Sequence, residues 1–224
     1  MGCGDSACDD RFVAQMSTFI LRSGFEVENP LEMALDFLAR YSSYEAHGSS
    51  GPDSFDESDL RLANRGGARI SGAEIAAILE RRGEIEGTLR QIRPAASLAD
   101  ATSSIPWISL TRLFEAFADI RGIGFSKMTK TLHRKRPALI PMLDSVVQAY
   151  LMGDDLRAGS LESFGTRATA LVRSYKQDLD RNRSALRKIQ RELASRDYRL
   201  TEVRILDLLI WSVNAQSGGR QAGE

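Results

Sequence analysis

The stretch Ile120-Arg121-Gly122-Ile123-Gly124-Phe125-Ser126-Lys127 places two glycines around one apolar residue. Amphipathic segments lie before and after it, which predicts a tight turn between two helices. The first N–H groups of a helix have no partner inside the helix, and the helix dipole favours an anion there. Gly122, Gly124 and Ser126 are therefore expected to hold a phosphate group. Taken alone, such a glycine pair is more often a plain helix end.

Basic residues follow this turn. From Arg121 to Leu143 the chain has six Lys or Arg residues and no Asp or Glu. Lys127, Lys130 and Arg134 recur at helical spacing on one face, while apolar residues recur on another. One side of the helix is therefore expected to pack and the other to meet phosphates. For Lys135 and Arg136, a phosphate-binding role and a solvated loop are both open.

One aspartate, Asp144, lies 22 residues after Gly122, at the predicted start of another helix. Pro137 and Pro141 exclude a regular helix between the two segments. Aspartate is a favoured N-cap, so the simplest role for Asp144 is to cap the helix. A cap is compatible with chemistry, because a helix N-terminus also favours the ionised carboxylate.

The overall composition is that of an ordinary globular protein. The chain has 224 residues, 42% of them hydrophobic and 27% charged, which is enough for one large core or two lobes sharing one. The formal net charge is +0, with 30 basic and 30 acidic side chains. A general nucleic-acid coat would be basic throughout, so any nucleic-acid binding must depend on the local basic cluster.

Cysteine and histidine usage indicates neither a metal site nor a cofactor. Cys3 and Cys8 lie near the N-terminus, far in sequence from His47 and His133, so no zinc-ligand spacing is present. Two cysteines are also too few for an iron–sulfur cluster. A reducing cytoplasm is the expected location. Since no apolar run approaches the ~20 residues of a membrane span, no membrane partner is expected.

Helical signals dominate the chain, and the predicted fold class is all-α. Asn29-Pro30 and Asp56 mark helix starts, and Ser71 with Glu74 forms a capping box. Thr201 is predicted to cap a final helix that is apolar nearly all round and therefore buried.

The domain prediction is one helical domain over residues 11–215. Residues 1–10 are expected to be disordered and residues 216–224 to form a flexible tail. The apolar spacing of residues 11–22 is helical, with a strand near 18–21 as the alternative. The protein is expected to be a monomer.

The turn, the helix after it and the segment Ile140-Pro141-Met142-Leu143-Asp144 resemble the helix-hairpin-helix DNA glycosylase superfamily (HhH-GPD type). The resemblance covers about residues 109–152 and indicates an atypical bacterial member without an iron–sulfur cluster. It implies two helical lobes with a cleft between them, double-stranded DNA as partner, and Asp144 as the catalytic residue. Such a carboxylate stabilises the positive charge that develops on deoxyribose and orients or deprotonates water.

The resemblance also bears on the type of glycosylase. Some members carry a lysine, four residues after the first glycine of the hairpin, that forms a Schiff base and nicks the strand. That position is Ser126 here, which implies a monofunctional glycosylase that leaves an abasic site. One bacterial branch removes bulky modified cytosines from phage DNA, and the departure of this chain from common repair members favours an unusual substrate. The excised base and the choice between repair and antiviral defence stay open.

Other residues are candidates for contacts to DNA, each with a plainer alternative. Tyr41 and Tyr44 are predicted to form the pocket for a flipped base, with core packing as the alternative. Asn64, Arg65 and Arg69 flank two glycines and form either a loop that probes DNA or a simple helix stop. The alternative function for the whole chain is a non-catalytic helix-hairpin-helix protein that holds DNA without reading its sequence.

Overall fold

The computed structural model describes residues 18–22, 24–45, 50–152 and 162–220, and within these it leaves out the side chains of 42–45 and 215–220. This part of the chain is mostly helical, which confirms the predicted class. Its ten α-helices are α1 (Pro30–Glu45), α2 (Glu57–Arg65), α3 (Gly72–Glu80), α4 (Arg82–Leu89), α5 (Trp107–Glu115), α6 (Phe125–His133), α7 (Ser145–Leu151), α8 (Phe164–Arg181), α9 (Arg183–Ala194) and α10 (Glu202–Arg220).

Two short strands precede the helices. Strand β1 (Phe19–Ile20) pairs with β2 (Glu26–Val27) in antiparallel register, Phe19 opposite Val27. The strand alternative near residues 18–21 is therefore the correct one there. Residues 1–10, predicted to be disordered, and the rest of the predicted N-terminal helix up to residue 17 lie outside the described residues.

Local capping signals set several helix starts as predicted. Asp56 caps α2 and Ser71 caps α3, each within a capping box. Helix α1 starts at Pro30, as the Asn29-Pro30 pair predicts. The hydroxyl of Thr201 accepts a hydrogen bond from the Arg204 N–H at the start of α10. These ends are determined locally, because the capping groups lie within a few residues of the N–H groups they satisfy.

One contiguous apolar cluster draws residues from both strands and from all ten helices. Helix α10 runs through it, with its segment from Val203 to Ile210 buried on every side, as its apolar composition predicts. The helix continues to Arg220, inside the segment 216–224 that was predicted to be a tail. None of the helices in the described part is long and apolar enough to cross a membrane.

Candidate functional site

The predicted turn between α5 and α6 is present. Gly122 has a φ of 85°, in the left-handed region that favours glycine, and Gly124 is the N-cap of α6. Ile123 between them is buried and anchors the turn in the core. Because Gly124 has no side chain, the N-cap residue itself leaves the first N–H groups of α6 without a side-chain cap.

Lys127 is engaged within the protein. Its Nζ lies 2.6 Å from Oε1 of Glu74, the residue that completes the capping box of α3. This hydrogen bond is the main reason that the pKa of Glu74 is lowered. The ion pair connects α6 to α3, and it neutralises the charge of Lys127, which was predicted to bind phosphate.

Lys135 and Arg136 are buried structural residues, which corrects both of the roles considered for them. Lys135 forms an ion pair of 2.7 Å with buried Asp59 and a hydrogen bond to Ser50. The guanidinium of Arg136 binds Asp53 and donates to backbone carbonyls at the end of α4, including that of Leu89. Their charges hold the loop before α2 in place, and neither side chain reaches solvent.

Asp144 lines a cavity of about 200 Å³. Lys130 from α6 and Tyr41 from α1, both predicted as site residues, line the same cavity, so the fold brings these three together. The side chain of Tyr44, the second predicted pocket residue, lies outside the described residues. The other lining residues are Phe37, Gly66, Met142, Val147, Arg204, Asp207 and Trp211.

Aromatic rings form one wall of this cavity. The rings of Tyr41 and Trp211 meet edge to face with centroids 5.8 Å apart, and Phe37 lies 4.8 Å from Tyr41 and 5.4 Å from Trp211. Tyr41 is 48% exposed, and α1 is kinked there, with a φ of −127° and a ψ of 24°. The kink and the exposure distinguish Tyr41 from an ordinary core aromatic residue.

The carboxylate of Asp144 is held at the start of α7. Its Oδ1 accepts hydrogen bonds from the N–H groups of Val146 and Val147, both at 3.0 Å. The predicted N-cap role is therefore confirmed, and it uses only one of the two oxygens. The preceding backbone is held as well, because the Leu143 N–H donates a hydrogen bond to the hydroxyl oxygen of Thr129 in α6 at 2.9 Å.

Several cations lie in this region. Lys130 is half-buried, and burial lowers its pKa, while the nearby Asp144 carboxylate opposes that change. The positive charges of Arg204 and Arg69 lower the pKa of Lys130 further. Arg134, predicted to bind phosphate, is half-buried and makes its own contact within the chain.

The loop after α2 borders the cavity through Gly66. Asn64 closes this loop, since its side chain both donates to the Ile70 carbonyl and accepts from the Ile70 N–H. Asn64 therefore has a structural role, whereas Arg65 and Arg69 are exposed. Arg69 has a left-handed φ of 57°, a conformation that costs a non-glycine residue about 1–3 kcal/mol.

A second carboxyl group, Asp207 of α10, also lines the cavity. It is 3% exposed, and its Oδ2 accepts the Met142 N–H at 3.1 Å. Burial raises its pKa to about 7, against the opposing effects of the Arg204 guanidinium and the Met142 N–H. No local pattern placed Asp207 or Trp211 beside Asp144, so both were missed as residues of this cavity.

A model of a family described as “Family of unknown function (DUF6308)” matches residues 34–214. The chain belongs to this family. The DUF6308 match begins in α1 and ends in α10, so every residue that lines the cavity lies within the region shared with the family. No curated protein and no solved structure matches the chain.

Proposed function

We propose that this protein is a monofunctional DNA glycosylase that uses Asp144 to hydrolyse the N-glycosidic bond of a flipped, modified base. The observation that carries the proposal is the position of Asp144. The residue follows the glycine turn at the separation typical of the helix-hairpin-helix superfamily, and it lines an aromatic-walled cavity. In this proposal α5, the turn and α6 form the hairpin motif, and the cavity is part of the cleft that takes the base.

The cavity suits a single planar ring. At about 200 Å³ it is smaller than the roughly 300–1,000 Å³ of pockets for drug-sized ligands. Tyr41 and Trp211 present aromatic surface, on which any base can stack because every base has a π-face. A base extruded from duplex DNA needs such a surface to replace the stacking that it loses.

Asp144 supplies the chemistry in this proposal. Oδ1 stays in the helix cap, which fixes the orientation of the carboxylate, and Oδ2 is then available to the sugar or to a water. The cation that develops at C1′ is stabilised by the carboxylate charge, and the same group can take a proton from the attacking water. Lys130 lines the same cavity, and its ammonium group and the Asp144 carboxylate attract each other there.

In this proposal the strand is not cleaved, because α6 has no free lysine at the position where a Schiff base would form. Ser126 occupies the position of the Schiff-base lysine, and the neighbouring Lys127 is bound to Glu74. Glycosylase activity is favoured over plain DNA holding, because Lys127 is paired and Lys135 and Arg136 are buried. That leaves fewer cations for phosphates than the sequence indicates.

The test is base release by the Asp144→Asn variant. Duplexes containing alkylated, oxidised or mismatched bases, and phage DNA with modified cytosines, are incubated with the protein, and released bases are identified by mass spectrometry. Asparagine keeps the cap but loses the charge, so we expect release to fall by about 100-fold or more. Duplex affinity should stay the same or rise, because a negative charge near phosphates is removed. The wild-type product should be an abasic site in an uncut strand.

Asp56→Asn is the matched control. Asp56 is also an aspartate N-cap, but it does not line the cavity, so its variant should release bases at the wild-type rate. Full activity of Asp144→Asn would favour a DNA-binding module or another site. A borohydride-trapped covalent complex with nicked DNA would refute the monofunctional mechanism.

A further inference from the structure

A carboxylate of the protein itself stands at the glycine turn. A Cβ atom built on Gly122 would collide with Oε1 of Glu74, so this oxygen lies directly against the turn. The same oxygen is the partner of Lys127, whose Nζ lies 2.6 Å away. The turn and the start of α6 are where the sequence predicts a phosphate, and in the structure an anion from α3 is found there.

Helix α6 has no anion of its own at this end. Its N-cap, Gly124, has no side chain, and its first turn contains no Asp or Glu. The helix dipole favours a negative charge near the first turn, and the Glu74 carboxylate beside Lys127 supplies it. The hydrogen bond from Lys127 also lowers the pKa of Glu74, so this carboxylate is charged at neutral pH.

Of the two partners in this ion pair, Lys127 is the one that can move. Oε2 of Glu74 accepts the Ser71 N–H at 2.8 Å, and the Glu74 N–H donates to the Ser71 hydroxyl, so the capping box of α3 holds the carboxylate in place. Lys127 has a flexible four-carbon stem, and its side chain is 23% exposed. Its ammonium group can therefore turn toward an anion that arrives from solvent.

The turn is open to solvent beside this ion pair. Arg121 and Gly122 are exposed, and both line a groove of about 530 Å³ between α3 and the turn. Glu74 lines the same groove. A phosphate that approaches the turn along the groove therefore meets the Glu74 carboxylate, which already holds the nearest lysine of α6.

We propose that Glu74 competes with DNA phosphate for Lys127, so that the protein restrains its own grip on duplex DNA. This inference rests on the part of the proposed function in which the glycine turn holds a phosphate. In the free protein Lys127 is bound to Glu74, and on binding it transfers to the phosphate. The affinity is lowered because the ion pair must break and because the Glu74 carboxylate then stays close to a second negative charge.

The first measurement is the affinity of Glu74→Gln for an unmodified duplex, by fluorescence anisotropy at about 50 mM salt. Glutamine can keep the capping box, but it has no charge to hold Lys127. We expect the Kd to fall by about 3- to 5-fold, the change that corresponds to a partly exposed ion pair. Urea denaturation checks that the variant is folded. If the pair only connects α3 to α6, the Kd should stay the same or rise, and that result would overturn the proposal.

Glu80→Gln is the matched control. Glu80 lies on the same helix and lines the same groove, whereas Lys127 is bound to Glu74. The control substitution removes the same charge without releasing the lysine, so the Kd should change little. An equal gain in affinity for both variants would indicate general charge repulsion, and the role of the ion pair would be overturned.

Lys127→Gln shows whether the lysine reaches a phosphate in the complex. If it does, the variant should bind the duplex more weakly, and the dependence of log K on log salt should fall by about 0.9, the value for one phosphate contact. Most of the gain from Glu74→Gln should disappear when the two substitutions are combined, because no lysine is left to release. An unchanged salt dependence would mean that Lys127 stays on Glu74 in the complex, which contradicts the proposal.

These measurements separate the inference from the proposed function, because they use duplex binding and not base release. If base release depends on Asp144 but Glu74→Gln and Lys127→Gln bind DNA like the wild type, the competition is overturned and the glycosylase stands. If the predicted changes in binding are found but no base is released, the competition stands and the glycosylase fails. A wild-type protein that neither binds duplex DNA nor releases a base would contradict both.

Discussion

At the scale of single residues, Gly122 shows how backbone and charge are joined at the turn. Its φ of 85° lies in the left-handed region, and a Cβ atom there would come within 2.2 Å of the Glu74 carboxylate. Glu74 in turn holds Lys127. Gly122 is thus required both because the backbone has a left-handed φ there and because a larger side chain would collide with Glu74. The ion pair of Glu74 with Lys127, which joins α3 to α6, therefore depends on this glycine.

Gly122→Ala should destabilise the protein by about 1–2 kcal/mol, because an L-residue pays that much in this conformation. Gly124→Ala is the matched control, since Gly124 has a negative φ and open space around its Cβ position. Urea denaturation measures both variants. Equal stability of the two would mean that the turn is not constrained at Gly122.

At the scale of elements, the packing of α5 against α8 positions the helix that leads into the turn. Gly165, near the start of α8, lets the helices approach closely, and its N–H donates to the Glu115 carboxylate at 2.6 Å. The hydroxyls of Thr111 and Thr169 meet across the same interface at 2.8 Å. The orientation of α5, and with it the turn, therefore depends on a small residue in a distant helix.

Gly165→Ala should push α8 away from α5 and cost about 1–3 kcal/mol, because the new Cβ would lie 2.4 Å from the Thr111 carbonyl oxygen. Gly87→Ala in α4 is the control, since its Cβ would meet only the far end of Arg90 at 4.0 Å. There alanine should stabilise by up to about 1 kcal/mol through its helix propensity. In thermal unfolding we expect the midpoint temperature to fall for Gly165→Ala and to rise for Gly87→Ala. A Gly165→Ala variant as stable as the wild type would contradict the close approach of α8 to α5.

At the scale of the whole molecule, the net charge of +0 makes the local arrangement of cations decisive. Arg204, Arg69 and the Asp144 carboxylate are all close enough to influence Lys130. Arg69 is the exposed member of this group. If DNA approaches the cavity, its phosphates should meet this group rather than a uniformly basic surface.

Arg69→Gln should weaken duplex binding and reduce the dependence of log K on log salt by about 0.9, the value for one phosphate contact. Arg191→Gln on α9 is the control, because Arg191 is also exposed but is not one of the cations that act on Lys130. Fluorescence anisotropy over a range of salt concentrations measures both. An equal loss for the two variants would indicate general charge attraction instead of a defined DNA-facing surface.

Local patterns in the chain were sufficient for the helices and for their starts. Asp56, Ser71 and Asp144 cap helices because each lies within three residues of the N–H groups that it binds. The same patterns singled out Asp144 and Lys130, which lie on neighbouring segments. From the same patterns, charged side chains were expected to lie at the surface, and this was wrong for Lys135 and Arg136, which are buried.

Packing between remote segments decided the rest. Tyr41 lies in α1, Asp144 is the N-cap of α7, and Asp207 and Trp211 lie in α10. Periodicity predicts which face of a helix is buried but not which helix it meets. Partners far along the chain, Asp59 and Asp53, are what allow Lys135 and Arg136 to be buried. The raised pKa of Asp207 likewise comes from burial. Burial is a property of the assembled core, so no short stretch of sequence encodes it.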